Sequence, residues 1–221
     1  MLFASGVKVG EPPTAGRAGR RLTPRMAGPG LLILTGLLAV FLAGCAGKPF
    51  NVKPRPSLSK PDYRASGQID GVGIQAEAIT DEDYLFENFD ANLIQAGVYP
   101  VRVRMTNNGT GALELKRAKF GIKSAAGTLF RMAEARRAYK RLISYYEVSV
   151  YNKDGYKRSL SDFTSYALDT DSLLGPGDSR DGILFFLLPA EVAREGGLTF
   201  EASRLNSKQA GTDSTLELKL K

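Results

Sequence analysis

The chain has 221 residues, with 30 Lys and Arg against 23 Asp and Glu, no His, no Trp and one Cys. Without His there is no imidazole for general acid–base work or for a transition metal, and no Ser–His–Asp or Cys–His nucleophile can be assembled. A single Cys excludes a disulfide within the chain, and the length bounds it to one or two domains.

The first element in chain order is apolar. Residues 31–44, LLILTGLLAVFLAG, carry no charge and follow Arg17, Arg20, Arg21 and Arg25. About 20 apolar residues are needed to span a bilayer, so this run has the length of a signal-peptide core rather than of a transmembrane helix. An alternative start at Met26 would leave no Lys or Arg before the run, which favours an upstream start. Arg20-Arg21 are followed by Leu22-Thr23-Pro24, which departs from a twin-arginine export motif.

Small residues stand before the only thiol, in the order Leu42-Ala43-Gly44-Cys45. This tetrapeptide resembles the bacterial lipobox. The resemblance implies that residues 1–44 are a lipoprotein signal, that Cys45 receives a diacylglycerol and becomes the acylated amino terminus, and that the palmitate-type chains hold the protein on a membrane. One acyl chain anchors marginally and several anchor stably, at about 0.8 kcal/mol per buried methylene. Ala46 follows the cysteine; in Gram-negative lipoproteins a residue other than Asp there implies the periplasmic face of the outer membrane.

Removal of residues 1–44 takes five basic residues and one acidic residue with it, so the net charge falls from +7 to +3. The strongly basic character belongs largely to the signal, and no nucleic-acid partner is read from the remainder. Residues 45–67 contain Pro49, Pro54, Pro56 and Pro61 among Lys and Arg. Proline fixes φ and lacks an amide donor, so this stretch reads as an extended basic tether of about 3 Å per residue. A folded domain is expected over residues 68–221.

Within that domain Val72, Ile74, Ala76 and Ala78 alternate with polar or small residues, the period of a strand. Val101, Val103 and Met105 face one way, and Arg102, Arg104 and Thr106 the other. Asn107-Asn108-Gly109-Thr110-Gly111 then turns the chain before a second extended run. Phe120 and Ile122 continue the pattern to a turn near Gly127. From Met132 the period changes: Met132, Ala135, Tyr139, Leu142, Ile143 and Tyr146 have helical spacing, and Arg136, Arg137, Lys140 and Arg141 fall on the opposite arc. One amphipathic helix is expected over residues 131–146. Residues 160–168, LSDFTSYAL, are ambiguous between helix and strand. Gly175-Pro176-Gly177 is a turn, ILFFLLP a buried strand ending at Pro189, and the sets Leu198, Phe200, Ala202 and Leu216, Leu218, Leu220 alternate.

Short strands, frequent Gly/Asn/Pro turns and one helix predict a mainly β fold, an Ig-like antiparallel β-sandwich with an inserted amphipathic helix. The segment LIQAGVYPVRVRMTNNGTGALEL with ILFFLLP resembles bacterial envelope lipoproteins with Ig-like domains of unassigned activity. That resemblance implies no catalytic residues.

Three groups of side chains invite a functional reading. Asp81-Glu82-Asp83 and the set Asp169, Asp171, Asp178, Asp181 offer hard oxygen ligands, but acids before a helix or around a turn commonly cap it or face solvent, here with Thr80 placed to cap, and no metal or cofactor is assigned. Arg136, Arg137, Lys140 and Arg141 form a basic face suited to anionic head groups or an acidic partner, or else a solvated surface. Tyr139, Tyr145, Tyr146, Tyr151 and Tyr156 lie near it in sequence and suit glycan stacking or core packing. The expected function is therefore that of a non-catalytic, membrane-anchored envelope lipoprotein that binds or supports a protein partner. The alternatives are a glycan- or lipid-binding module and, further off, a hydrolase using carboxylates alone, which would need two acids across one cleft.

Overall fold

Backbone pairing in this chain is antiparallel in every ladder between named strands, and the apolar positions alternate accordingly. The structure, a computed structural model, describes residues 47–55, 63–205 and 214–220. The signal-like run, Cys45 and part of the proline-rich stretch lie outside the described residues.

Among the described residues ten strands run in chain order: β1 Ala65–Ile69, β2 Val72–Ala78, β3 Val98–Asn107, β4 Leu113–Glu114, β5 Lys119–Lys123, β6 Leu129–Ala133, β7 Leu173–Leu174, β8 Ser179–Leu187, β9 Thr199–Ser203 and β10 Thr215–Lys219. Eight of them follow the order β1-β2-β3-β8-β6-β5-β9-β10, while β4 and β7 make a separate ribbon. β6 is the corner strand. Its residues 129–131 pair with β5, and Met132 and Ala133 pair with Phe186 and Phe185 of β8. The strands therefore fold over as two facing layers, and β10 returns to β1. A Cβ on Gly67 of β1 would stand 2.8 Å from Leu216 Cδ1 of β10, so only glycine fits there without a shift. The result is a mainly β, antiparallel sandwich, as the sequence predicts.

Between the layers lies one core. It contains Val72, Ile74 and Ala76 of β2, Val101, Val103 and Met105 of β3, Phe120 and Ile122 of β5, and Phe186 and Phe200. These are the alternating sets read from the sequence, now facing one another. Phe120 stacks on Phe200 at 6.1 Å, and Phe186 meets the same ring edge-on at 6.4 Å.

A second core covers the outer face of β3 and β8. Val98, Ile183 and Phe185 point away from the sandwich and meet a helical layer. That layer comprises α1 Glu82–Phe89, α2 Ala135–Tyr145 and α3 Lys153–Thr164; a short α4, Ala190–Glu195, follows β8. The helical content thus exceeds the one predicted helix. α1 starts at Asp81, whose carboxylate accepts from Tyr84 N at 2.7 Å, one residue beyond the expected Thr80 cap. α3 starts at Asn152, whose Oδ1 accepts from the amides of Asp154 and Gly155. Its Leu160 and Phe163 are buried, which settles the ambiguous segment as a helix through Thr164.

The predicted helix over residues 131–146 is shorter, Ala135–Tyr145. Residues 129–133 are strand because β5 and β8 both pair with them, and two ladders outweigh a helical spacing that Met132 shares by coincidence. Met132 is accordingly 36% exposed instead of lying on the buried stripe.

The proline-rich stretch also departs from expectation. Residues 51–55 form neither helix nor strand, and the segment is docked on the domain. Phe50 and Val52 are buried in the second core. Phe50 meets Tyr139 and Tyr146 edge-on at 6.0 and 5.9 Å. Lys53 N donates to Asn88 O at 2.9 Å, and Lys48 and Arg55 pair with Asp162 and Asp181 at 2.7 Å each. In this part, the expected free tether is an integral strap of the helical layer. Its two apolar side chains insert into a gap between α1, α2 and α3 that the sequence alone did not reveal.

Candidate functional site

The basic face of α2 is the surface on which sequence and structure agree. Ala138, Tyr139 and Leu142 are fully buried against the second core. At 100° per residue this fixes Arg136, Arg137, Lys140 and Arg141 outward, and all four are exposed. Among the described residues no carboxylate pairs with any of them.

Arg137, Lys140 and Arg141 are brought together along one wall of an open groove of about 710 Å³. Tyr145 continues that wall, and Leu188, Pro189 and Glu191 form the other side. Arg136 turns away and does not line the groove. Arg141 is held in place: its Nε donates to Ala96 O at 3.0 Å. The adjacent Gly97 has φ +74, and a Cβ there would stand 3.0 Å from Leu188 O, so the turn that receives Arg141 needs glycine. At the end of the helix Tyr146 grips the same loop. Its hydroxyl donates to Asn92 O at 3.1 Å and accepts from Asn92 N at 3.0 Å. Burial pushes the Tyr146 hydroxyl up from its ordinary pKa, so it remains a neutral donor. The groove is thus a cationic wall, anchored at Arg141, that faces an apolar strand end and Glu191, with one exposed ring, Tyr145, at 46% exposure.

The other tyrosines divide. Tyr139 is core, packed on Phe163 at 5.4 Å, and Tyr156 is half-buried against it. Tyr151 is 90% exposed on the loop before α3 and does not line the groove. No set of facing rings suited to a sugar is formed by these five.

Of the acidic candidates, Asp81, Asp169 and Asp181 are engaged in structure, and Glu82, Asp83, Asp171 and Asp178 are exposed. Asp81 caps α1, with Glu82 and Asp83 in its first turn. Hydrogen bonds from the Ser172 hydroxyl, and from the amides of Asp171 and Ser172, hold the Asp169 carboxyl below the usual carboxylate range. Asp181 pairs with Arg55. Among the described residues no group of three or more His, Cys, Asp or Glu side chains is placed to hold a metal ion.

A second groove, of about 650 Å³, was not foreseen. It lies between β2 and α1 and centres on Arg102, which is 7% exposed. Arg102 Nη2 donates to Tyr84 Oη at 2.8 Å, and Glu77 Oε2 lies 3.5 Å from Nη1. The guanidinium also lies over the Tyr84 ring, 5.5 Å from its centroid. Three of its four acids are already committed, Glu77 to Arg102, Asp81 to the helix cap and Glu87 to Lys53 at 2.8 Å, which leaves Asp83 alone. A carboxylate pair free for hydrolysis is not assembled there. The alternation of β3 placed Arg102 opposite the sandwich core; its burial follows only once α1 covers that face.

No protein-family model and no curated protein matches this chain. The fold is similar to three solved bacterial proteins. The yjhA protein of Bacillus subtilis matches over 71% of this chain and 96% of its own, at 11% identity and TM-score 0.37. A conserved hypothetical protein of Bacillus anthracis matches over 62% and 84%, at 8% identity and TM-score 0.32. An uncharacterized β-sandwich protein of Clostridium difficile matches over 62% and 81%, at 10% identity and TM-score 0.30. No helix among the described residues is long and apolar enough to cross a membrane.

Proposed function

We propose that this chain is a lipid-anchored envelope protein that works as a non-catalytic binding module, with the groove of α2 as its docking face. The lipobox-like Leu42-Ala43-Gly44-Cys45, behind a basic flank and an uncharged run, supports the anchor. The observation that carries the docking face is the set of Arg137, Lys140 and Arg141 along one wall, with no carboxylate partner among the described residues and with Arg141 and Tyr146 fixing the helix to the loop beneath. Three cations without a carboxylate partner, beside a rim with a single acid, Glu191, suit an acidic surface of a protein partner, because long-range attraction speeds encounter and apolar contact then holds the complex. A glycan site would ask for more than the single ring of Tyr145. The missing imidazole, and grooves that each offer a single uncommitted carboxylate, Asp83 in one and Glu191 in the other, favour binding over hydrolysis. In a Gram-negative source the protein would sit on the periplasmic face of the outer membrane.

Crosslinking in intact envelopes tests the reading. Wild-type protein should capture a partner, and Arg137→Glu with Lys140→Glu should lose it while the domain stays folded. Equal capture by both proteins, at low and high salt alike, would remove the groove from consideration. Mass analysis of the mature amino terminus tests the anchor independently: acyl mass on Cys45 is the expected result.

A further inference from the structure

We infer that residues 47–49 and the loop of residues 148–152 form a membrane-facing surface, held flat against a phospholipid bilayer by the shortness of the link to Cys45. This rests on the proposed lipid anchor. The strap residue Phe50 is 5% exposed in the second core, and Gly47 lies against α3: a Cβ on Gly155 would stand 2.8 Å from Gly47 O. Chain order places Cys45 only two residues before Gly47. Two residues reach about 7 Å at full extension. A lipid on Cys45 therefore cannot lift the domain clear of the head groups; whatever surrounds Gly47 must meet them.

What surrounds it suits that place. Gly47, Lys48 and Pro49 share a recess of about 210 Å³ with Val148, Val150 and Tyr151. Val150 is 41% exposed, and Tyr151, at 90%, is the most exposed large apolar side chain among the described residues. A tyrosine ring with an apolar body and a polar tip is favoured at the membrane–water interface. Charges of both signs flank the loop: Lys153 and Arg158 are exposed, Lys157 lies 3.8 Å from Asp154, and Glu147 is exposed, so the bilayer contact falls to the apolar side chains and the lipid. Exposed apolar side chains and the link to a covalent lipid thus converge on one recess.

The absence of Trp supplies the test. Residues 45–221 form one compact unit with both cores inside it. That unit, coupled through the Cys45 thiol to a maleimide lipid, is placed on vesicles of phosphatidylethanolamine and phosphatidylglycerol with brominated acyl chains. Tyr151→Trp should emit at shorter wavelength and lose most of its intensity to the bromines. Leu173→Trp, on the β4–β7 ribbon packed against the sandwich core and 62% exposed, should do neither. Insertion of about ten Gly and Ser residues between Ala46 and Gly47 adds a coil of roughly 17 Å and should restore the Tyr151→Trp emission. A Tyr151→Trp signal open to aqueous iodide and untouched by bromine overturns the inference, as does one that the insertion leaves unchanged. The vesicle result stands apart from the lipoprotein reading: protein from cells with an unmodified Cys45 would remove the natural anchor without altering what the coupled domain does at a bilayer.

Discussion

The Ser159 hydroxyl donates to the Phe50 carbonyl oxygen at 2.7 Å in a site closed to solvent. This bond joins α3 to a segment that precedes the first strand, and it makes residues 47–55 part of the domain. Phe50→Ala should therefore cost about 3–5 kcal/mol, the usual range for a buried aromatic. Lys48→Ala, which removes a half-exposed ion pair with Asp162, should cost no more than about 1 kcal/mol. Urea unfolding of the two variants measures the difference. Equal small effects would mean that the strap is not docked in solution.

On α2 the two faces should separate cleanly. Leu142 is fully buried, and Leu142→Ala should cost about 2–5 kcal/mol. Arg137→Ala with Lys140→Ala should leave thermal unfolding nearly unchanged, since exposed charges contribute about 0–1 kcal/mol each. The same pair should weaken partner capture most at low salt, where screening is least. A double variant that melts as early as Leu142→Ala would contradict the helical phase.

Gly182 on β8 faces the backbone of Leu168, which closes on this strand through the Ala167–Ile183 bridge. A Cβ there would land on the Leu168 N and Cα atoms, and a backbone cannot step aside as a side chain can. Gly182→Ala should destabilise by about 1–3 kcal/mol. Calorimetry would show the loss as a lower melting temperature; an unchanged value would mean that the segment after α3 is not clamped on β8.

Alkali should unfold the domain through its buried phenols. Burial pushes Tyr99 and Tyr166 up to about 12, from an ordinary value near 10. Between these values the unfolded chain loses protons that the folded chain keeps, so stability is full below about pH 10 and falls as pH rises toward 12. Absorbance at tyrosinate wavelengths and unfolding free energy should change together over that window. Tyr166→Phe, which removes the hydroxyl that donates to Lys53 O at 3.1 Å, should make the decline shallower. Two tyrosines that ionise near pH 10 with the fold intact would contradict their burial.

The anchor has its own variant. Cys45→Ser replaces a thiol with a hydroxyl that lipid transfer does not use, so the chain should remain unprocessed and leave the lipid-anchored fraction. Membrane fractionation with mass analysis reads both outcomes. Processing and attachment unchanged by the substitution would exclude lipidation at Cys45.

The strands were legible because one residue in two repeats the same chemistry. Val101, Val103 and Met105, or Phe200 and Ala202, announce a buried face without help from distant parts of the chain. Tyr139 and Leu142 announced α2 and its basic face in the same way. Other features depend on partners far away in sequence. Met132 fits a helical stripe, and only pairing to Phe186 makes it strand. β1, with Ser66, Gly67 and Gln68, lacks an apolar run and exists because β2 pairs along it. Phe50 and Val52 are two apolar residues among prolines and cations, and their burial needs the gap between three helices. α3 carried a readable signal in Tyr156, Leu160 and Phe163, spaced four and three apart, though Gly155 and Ser159 dilute it. The groove site was half legible: its cations were visible, while its opposite wall of Leu188 and Pro189 arrives from another strand.

The shared wall of β3 and β8 also sets the order in which the molecule can be made. Thr106 and Ser179, hydroxyl to hydroxyl at 2.8 Å, are 73 positions apart in the chain. Closing so large a loop is slow compared with forming a local helix. Until that pairing exists, α2 and α3 have no surface on which to bury Tyr139, Leu142 and Phe163. The cationic groove and the strap therefore become competent only after β8 has been synthesised and has found β3. A newly emerging chain would carry Arg137, Lys140 and Arg141 without the wall opposite them.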